Sequence, residues 1–196
     1  MGDDDVCMIL GDNIFNGNGF SNLLAKSINN VKTKKKATVF GYYMKDAKRY
    51  GVVELDKEGK AISIEEKPQK PKGNHAVVGL YFYPNSVIEI AKGISPSSRG
   101  ELEITSINQE YLNLNQLNIE IMGQGFVWLD TGTHETLMQA SDYIKTIQNR
   151  QGVIVGCIEV IAFQMGYISK QQLLEIGQSM KNTNYGKYLI KTANEI

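Results

Sequence analysis

The feature that most constrains the fold is an apolar, strand-like run that ends in an acid and leads directly into a helix. It lies at 128–133, where the letters read WLDTGT and the acid is Asp130. Thr133 suits a helix N-cap and Glu135 suits the first turn, although Thr136 is a poor third residue for a capping box. Asp130 is therefore predicted at the end of a strand, at the sheet edge where open α/β folds bind their ligands.

A second acid occupies a similar position near the start of the chain. The run 6–10 is apolar and strand-like, and Gly11, Asp12 and Asn13 follow it. A single Asp after a strand is usually a cap or a turn former, and that alternative stays open for each acid. Two carboxylates at two strand ends, however, are what a hard cation needs to bridge to phosphate oxygens. The pair Asp12 and Asp130 is our candidate metal site.

The order of predicted elements indicates an α/β domain followed by a helical segment. Strands are predicted at 6–10, 37–43, 49–55, 61–66, 76–83, 119–122 and 126–129, and helices at 20–28, 86–91, 101–114, 133–149, 158–165, 169–179 and 184–194. The polar, basic run 29–36 is predicted to be a solvated loop. We place an α/β domain at 1–150 and a C-terminal helical segment at 151–196.

Charge and composition exclude several classes of protein. The chain carries 21 Lys and Arg against 21 Asp and Glu, so nothing in its charge favours nucleic acid or an anionic membrane. No apolar run approaches the roughly 20 residues of a membrane span, and the acidic start is unlike a signal peptide, so we expect a cytoplasmic protein. Cys7 and Cys157 lie in apolar runs and are predicted to be buried, reduced thiols.

Three charged residues outside the acid pair are candidates for ligand binding. Lys67 could hold a phosphate, Glu66 could accept hydrogen bonds from vicinal sugar hydroxyls, and Arg99 could make a second phosphate contact. The alternative for Lys67 is a solvated charged loop. Neither G-x-x-x-x-G-K-[ST] nor G-x-G-x-x-G occurs in the sequence.

Six motifs in order resemble the bacterial sugar-1-phosphate nucleotidyltransferases, and among them the glucose-1-phosphate thymidylyltransferases. They are ILGDNIF at 9–15, RYGVV at 49–53, IEEKP at 64–68, AVVGLYFY at 76–83, RGELEIT at 99–105 and WLDTGT at 128–133. The run from 150 to 189 is also similar to the C-terminal helices of that family. Each motif alone is weak, but six in sequence along nearly the whole chain are specific.

The resemblance implies a reaction and a set of site residues. The reaction is dTTP plus glucose 1-phosphate giving dTDP-glucose and pyrophosphate, a step in the synthesis of deoxysugar and polysaccharide precursors. It implies a nucleotidyltransferase-type, Rossmann-like mixed sheet and a homo-oligomer, a homotetramer in the family, formed through the α/β core and the C-terminal helices. The implied residues are Asp12 and Asp130 for Mg²⁺, Lys67 and Arg99 as catalytic phosphate contacts, and Tyr50, Gly51, Glu66, Val77, Tyr81 and Trp128 in the substrate pocket.

The departures from the family pattern qualify these expectations. The family's Gly-rich nucleotide loop has no match here, so the chain resembles the C-terminal two-thirds of the family, and we expect these 196 residues alone to be inactive. Gln124 and Val160 stand where an Arg and a Glu of a regulatory nucleotide site are expected. The alternatives are a truncated, non-catalytic sugar-phosphate-binding homologue and a sibling enzyme that transfers a uridylyl or adenylyl group.

Overall fold

The computed structural model describes residues 2–195, and the chain divides into two compact units, Met1–Gly132 and Thr133–Ile196. The first unit holds every strand of the described chain, and the second unit is helical. The first unit therefore ends before the helix predicted at 133–149, whereas the sequence pattern placed the end of the α/β domain near 150.

The first unit combines a mixed sheet with three helices, as the sequence predicts for an α/β protein. Its strands are β1 (Val6–Ile9), β2 (Asn13–Asn16), β3 (Ala37–Tyr43), β4 (Gly51–Leu55), β5 (Ala61–Glu66), β6 (His75–Tyr83), β7 (Leu117–Met122) and β8 (Val127–Asp130), and its helices are α1 (Phe20–Lys34), α2 (Val87–Gly93) and α3 (Ile104–Asn113). The main sheet has the order β5-β4-β6-β3-β7, with β1 also paired to β6. Only the β3–β7 pair is parallel among the pairings described.

Strand β6 is the centre of the first unit because it is buried on both faces. All of its residues except His75 are buried. Val77, Tyr81 and Tyr83 belong to one apolar cluster, which includes residues of α2 and α3, while the intervening even-numbered residues belong to a second cluster on the other face. The nearly continuous apolar run at 76–83 is therefore the signature of a central strand covered on both sides, rather than of a half-exposed one.

A separate two-stranded sheet brings the two predicted acids together. Strands β2 and β8 are antiparallel, and Asn13 lies directly opposite Asp130. The backbone N–H of Thr131 donates to the carbonyl oxygen of Asp12 at 2.9 Å. Two segments separated by more than 110 residues in sequence thus place one carboxylate at the start of β2 and the other at the end of β8.

The second unit consists of four helices with their own core. They are α4 (His134–Gln151), α5 (Ile158–Gln164), α6 (Lys170–Ser179) and α7 (Asn184–Glu195). Cys157, Leu173 and Leu189 form the centre of that core. Thr133 caps α4 as predicted, and Thr136 completes a capping box with its hydroxyl, contrary to the expectation that it would be a poor third residue.

Besides the Thr136 hydroxyl and strand β2, which the sequence prediction lacked, three details of that prediction are wrong. The run 29–36 is not a loop, because α1 continues to Lys34 and buries Asn30 and Val31 on the same face as Ser27. Helix α3 begins at Ile104 rather than at 101. Cys157 is buried as expected, but Cys7 is exposed. No helix within residues 2–195 is long and apolar enough to cross a membrane.

Candidate functional site

A cavity of about 200 Å³ opens in the first unit and gathers most of the predicted site residues. Its lining includes both predicted metal ligands and the predicted pocket residues Tyr50, Gly51, Glu66, Lys67, Val77, Tyr81 and Trp128. Arg99 is not part of the lining, but its Nη2 atom lies 3.7 Å from Glu66 Oε1. The two ends of this cavity differ in charge and in hydrogen bonding.

One end, which we call the carboxylate end, consists of Asp12 and Asp130. Oδ1 of Asp12 accepts a hydrogen bond from the side-chain amide of Asn13 at 2.7 Å, and Oδ1 of Asp130 accepts one from the backbone N–H of Gly132 at 2.8 Å. A Cβ atom placed on Gly132 would lie 3.0 Å from Asp130 Oδ1 and 3.6 Å from Asp12 Oδ2. These two oxygens are therefore separated by no more than the sum of those distances.

The donor set at the carboxylate end fits a hard divalent cation. Within residues 2–195, neither acid has a Lys, Arg or His partner within 4.0 Å, so both carboxylates keep lone pairs for another positive charge. The same residues contain no group of three or more His, Cys, Asp or Glu that could enclose a metal. Mg²⁺ is commonly held by one or two carboxylates and completes its shell with water and substrate phosphates.

An aromatic wall joins the two ends of the cavity. Trp128 is buried, and its ring meets that of Tyr50 edge to face at 4.9 Å between centroids. Partial burial, the negative charge of Asp130 and a hydrogen bond to that carboxylate raise the pKa of Tyr50. The hydroxyl therefore stays protonated at neutral pH and can donate a hydrogen bond.

Glu66 and Lys67 line another part of the cavity, and Arg99 and Glu103 lie beside them; we call these four residues the ion-pair end. Glu66 Oε1 lies 3.8 Å from Lys67 Nζ and 3.7 Å from Arg99 Nη2. Arg99 Nη2 donates to Glu103 Oε1 at 2.6 Å, and this hydrogen bond lowers the pKa of the Glu103 carboxyl. Each carboxylate at this end therefore already has a cation beside it.

Glu66 is held in place by its neighbours on β4 and α3. Its Oε2 atom accepts a hydrogen bond from Thr105 Oγ1 at 2.5 Å. Gly51 is its register partner across the β4–β5 pair, and a Cβ there would approach Thr105 Oγ1 at 3.0 Å and Glu66 Oε2 at 3.3 Å. Because a larger residue would crowd both groups, the glycine at 51 leaves room for this carboxylate. Burial and the charge of Glu66 raise the pKa of Tyr81, whose hydroxyl is therefore a donor at neutral pH.

Lys67 has an unusual backbone conformation. Its φ angle is +43°, in the left-handed region, although it is not a glycine and precedes Pro68. Such a conformation costs of order 1–3 kcal/mol and persists where surrounding contacts hold it. Here the Lys67 N–H donates to the carbonyl oxygen of Tyr50 at 3.0 Å. The strain places a half-exposed ammonium group at the cavity.

Sequence reasoning missed several residues of this region, although all of them lie within the motifs that it singled out. They are Asn13, Arg49, Gly79 and Thr105, which line the cavity, and Glu103, which pairs with Arg99. Their roles depend on contacts across strands and helices. An amide directly after a strand-ending acid was the one local signal available for Asn13.

Comparisons with known proteins agree on a family. The profile described as nucleotidyl transferase matches residues 1–147. Relatives named glucose-1-phosphate thymidylyltransferase include those of Neisseria meningitidis, 46% identical over 97% of this chain, Xanthomonas campestris, 48% over 95%, and Mycobacterium tuberculosis, 44% over 97%. The chain spans 65%, 62% and 65% of the length of these three relatives, respectively.

Solved structures show the same fold. A structure from Bacillus anthracis, named as a glucose-1-phosphate thymidylyltransferase and solved with sucrose, is 38% identical with a TM-score of 0.62, covering 72% of this chain and 55% of that one. A UDP-glucose pyrophosphorylase complexed with UDP-glucose has a TM-score of 0.65 at 20% identity, covering 74% of this chain and 58% of that one, and supports the fold alone.

Proposed function

Because the chain belongs to the nucleotidyl transferase family, we propose that it provides the sugar-phosphate and metal half of a glucose-1-phosphate thymidylyltransferase. The observation that carries this proposal is that one cavity holds two acids with no cation of the described residues within 4.0 Å, together with Glu66, which lies beside both Lys67 and Arg99. Relatives of that name at 44–48% identity support the choice of substrate within the family.

In the proposed reaction, a phosphate oxygen of glucose 1-phosphate bonds to the α-phosphorus of dTTP. The bond from that phosphorus to the bridging oxygen of the β-phosphate breaks, which releases pyrophosphate and leaves dTDP-glucose. Phosphoryl-type transfer depends on positioning and charge stabilisation more than on a covalent nucleophile.

The residues of the ion-pair end have separate roles in this proposal. Lys67 contacts the phosphate of glucose 1-phosphate, because its ammonium is half-exposed and lies 3.8 Å from Glu66 Oε1, beyond hydrogen-bond distance. Glu66 accepts hydrogen bonds from sugar hydroxyls through Oε1, the oxygen that Thr105 does not contact. Arg99 contacts the phosphate by exchanging part of its contact with Glu103 or holds Glu66 in place, and either role keeps it at this end of the site.

The remaining residues surround the sugar and hold the cation. Tyr50, Val77, Tyr81 and Trp128 form the walls, and Gly51 leaves space beside Glu66. Asp12 and Asp130 would hold Mg²⁺. When bound, the ion would neutralise charge on phosphate oxygens. We further propose a cytoplasmic homo-oligomer formed through the α/β core and the C-terminal helices, with no nucleic-acid or membrane partner.

A product assay tests the proposed function. The purified chain is incubated with Mg²⁺, glucose 1-phosphate and dTTP, UTP or ATP separately, and nucleotide sugars are identified by mass spectrometry while ligand binding is measured by calorimetry. Formation of dTDP-glucose in preference to the other products supports the thymidylyl assignment, and formation of UDP- or ADP-glucose instead assigns a sibling activity. Because the 196 residues alone are expected to be inactive, the assay is also run on the chain joined to the N-terminal nucleotide-loop segment of a relative. Binding of glucose 1-phosphate without any product in that fusion supports the second candidate, a non-catalytic sugar-phosphate-binding protein.

A further inference from the structure

Asn13 makes contacts that the proposed reaction does not use. Its Oδ1 atom accepts a hydrogen bond from the indole N–H of Trp128 at 2.6 Å and another from the backbone N–H of Gly79 at 3.1 Å. Its Nδ2 atom donates to Asp12 Oδ1 at 2.7 Å. An amide oxygen has two lone pairs, so both are engaged by the protein, and Asn13 acts through its neighbours.

These contacts connect the carboxylate end to the aromatic wall. Asn13 joins Asp12 to Trp128, and the Trp128 ring packs edge to face on Tyr50. The β2–β8 register places Asn13 directly opposite Asp130. Asp12 is thus connected to the aromatic wall through one intermediate side chain.

The backbone of β6 leaves room for this arrangement only because residue 79 is a glycine. A Cβ there would lie 2.7 Å from Asn13 Oδ1 and 2.8 Å from Leu10 Cδ1. Contacts this short would displace the amide from its hydrogen bonds with Gly79 and Trp128. The central strand, the turn before β2 and the end of β8 therefore all contribute to the position of one amide.

We propose that Asn13 is a positioning residue that holds the Asp12 carboxylate in orientation and connects it to Trp128. Chains of hydrogen bonds polarise one another, so replacing the Asp12 carboxylate by an amide weakens the Nδ2 contact and changes the bond that Oδ1 accepts from the indole. The coupling itself needs no ligand. Its use in cation binding rests on the proposed function.

The chain contains a single tryptophan, so its fluorescence reports on Trp128 alone. In the intact 196-residue chain without metal, Asp12→Asn is expected to shift the emission maximum of Trp128, and the same replacement in an Asn13→Leu background is expected to have no effect. Asn29→Leu, at an exposed asparagine on α1, is the matched control and keeps the wild-type spectrum. Equal shifts with and without Asn13, or no shift in the wild-type background, would overturn the coupling.

A second variant keeps the test decisive if Asn13→Leu fails to fold. Asn13→Ala removes both the oxygen and the Nδ2 donor with a smaller side chain, so the Asp12→Asn shift is expected to be lost here as well. Persistence of that shift at full size would contradict the role assigned to Nδ2. Far-ultraviolet circular dichroism and melting temperature identify the variants that are folded.

Mn²⁺ binding, followed by electron paramagnetic resonance, separates this inference from the proposed function. Replacing a side chain that orients a metal ligand typically costs about 10–100-fold in metal affinity, and we expect Asn13→Leu to lose affinity in that range. Equal affinity in wild type and a folded Asn13→Leu would overturn the positioning role. If the wild type does not bind Mn²⁺, the proposed metal site is wrong, while the fluorescence cycle still decides the coupling.

Discussion

The carboxylate end and the ion-pair end of the cavity contain the same kind of acid in opposite circumstances. Asp12 and Asp130 accept hydrogen bonds from neutral amides, and no cation among the described residues lies within ion-pair distance of them. Glu66 and Glu103 are paired with Lys67 and Arg99. The difference shows that acid content alone does not indicate a metal site, because only unpaired carboxylates can exchange water for a cation without losing an existing partner.

The largest expected effect is at the carboxylate end. Asp130→Asn and Asp12→Asn keep the side-chain shape but remove a charge that no neighbour compensates, so we expect Mn²⁺ affinity to fall by about 100-fold or more, beyond the range for groups that only orient a ligand. For each variant, calorimetry measures the affinity for Mn²⁺ and a melting curve measures the stability of the fold. Glu103→Gln, an acid at the opposite end, is the control and leaves Mn²⁺ binding unchanged. Loss of folding with unchanged metal affinity in the folded fraction would favour a capping role.

The next effect is at the ion-pair end and concerns phosphate. Lys67→Met is expected to weaken binding of glucose 1-phosphate by about 10–100-fold, since a charge-assisted contact contributes roughly 1.5–3 kcal/mol. Binding of free glucose should change little. Lys70→Met, in the same loop, is the matched control. If Lys67→Met weakens the binding of glucose and of glucose 1-phosphate equally, the ammonium stabilises the structure and does not contact the phosphate.

Gly51→Ala tests whether the geometry around Glu66 matters. The new methyl group would lie 3.0 Å from Thr105 Oγ1 and 3.3 Å from Glu66 Oε2, so one of them must move. Overpacking of this kind costs about 1–3 kcal/mol, and we expect weaker binding of glucose and of glucose 1-phosphate alike. Gly93→Ala, where no atom lies within 4 Å of the added methyl group, is the control. Unchanged binding of both ligands would mean that Glu66 does not contact the sugar.

The smallest effect is on the pH dependence of stability. The hydrogen bond from Arg99 lowers the pKa of Glu103 below its ordinary value of 4.5. The folded protein therefore binds fewer protons than the unfolded chain, so the stabilisation is complete above that ordinary value and is lost as pH falls through the folded pKa. Denaturant unfolding at several pH values should show a weaker acid dependence in Glu103→Gln. An identical loss of unfolding free energy at low pH in the wild type and in Glu103→Gln would mean that the Arg99–Glu103 pair adds nothing to stability.

The sequence predicted the strands of this protein better than its helix ends. The runs at 37–43 and 61–66 match β3 and β5, because apolar and β-branched residues bounded by turns have few alternative structures. The extension of α1 was missed because its second half buries the polar residue Asn30, which a reading of hydrophobic periodicity assigns to solvent. Exposure of Cys7 was missed because an apolar run does not reveal which face of the strand is left uncovered.

The same limit applies to the site. The positions of Asp12 and Asp130 followed from two strand ends in the sequence, and the fold brings them to one cavity. The pairing of Arg99 with Glu103, and the contacts of Asn13 with Trp128 and Asp12, depend on side-chain directions that no spacing rule supplies. Local patterns therefore identified which segments meet but not which partner each polar atom has.

The most direct test of the account asks whether the two ends of the cavity act on one ligand. A phosphate held near Lys67 should offer oxygens to a cation at Asp12 and Asp130. Saturating glucose 1-phosphate is therefore expected to raise the affinity of the chain for Mn²⁺. Mn²⁺ is expected to raise the affinity of the chain for glucose 1-phosphate by the same factor. Glucose should leave the affinity for Mn²⁺ unchanged. Asp12→Asn should abolish the effect of glucose 1-phosphate on that affinity. Mn²⁺ affinity that is identical with and without glucose 1-phosphate, after correction for the complex that the two form in solution, would contradict a shared site.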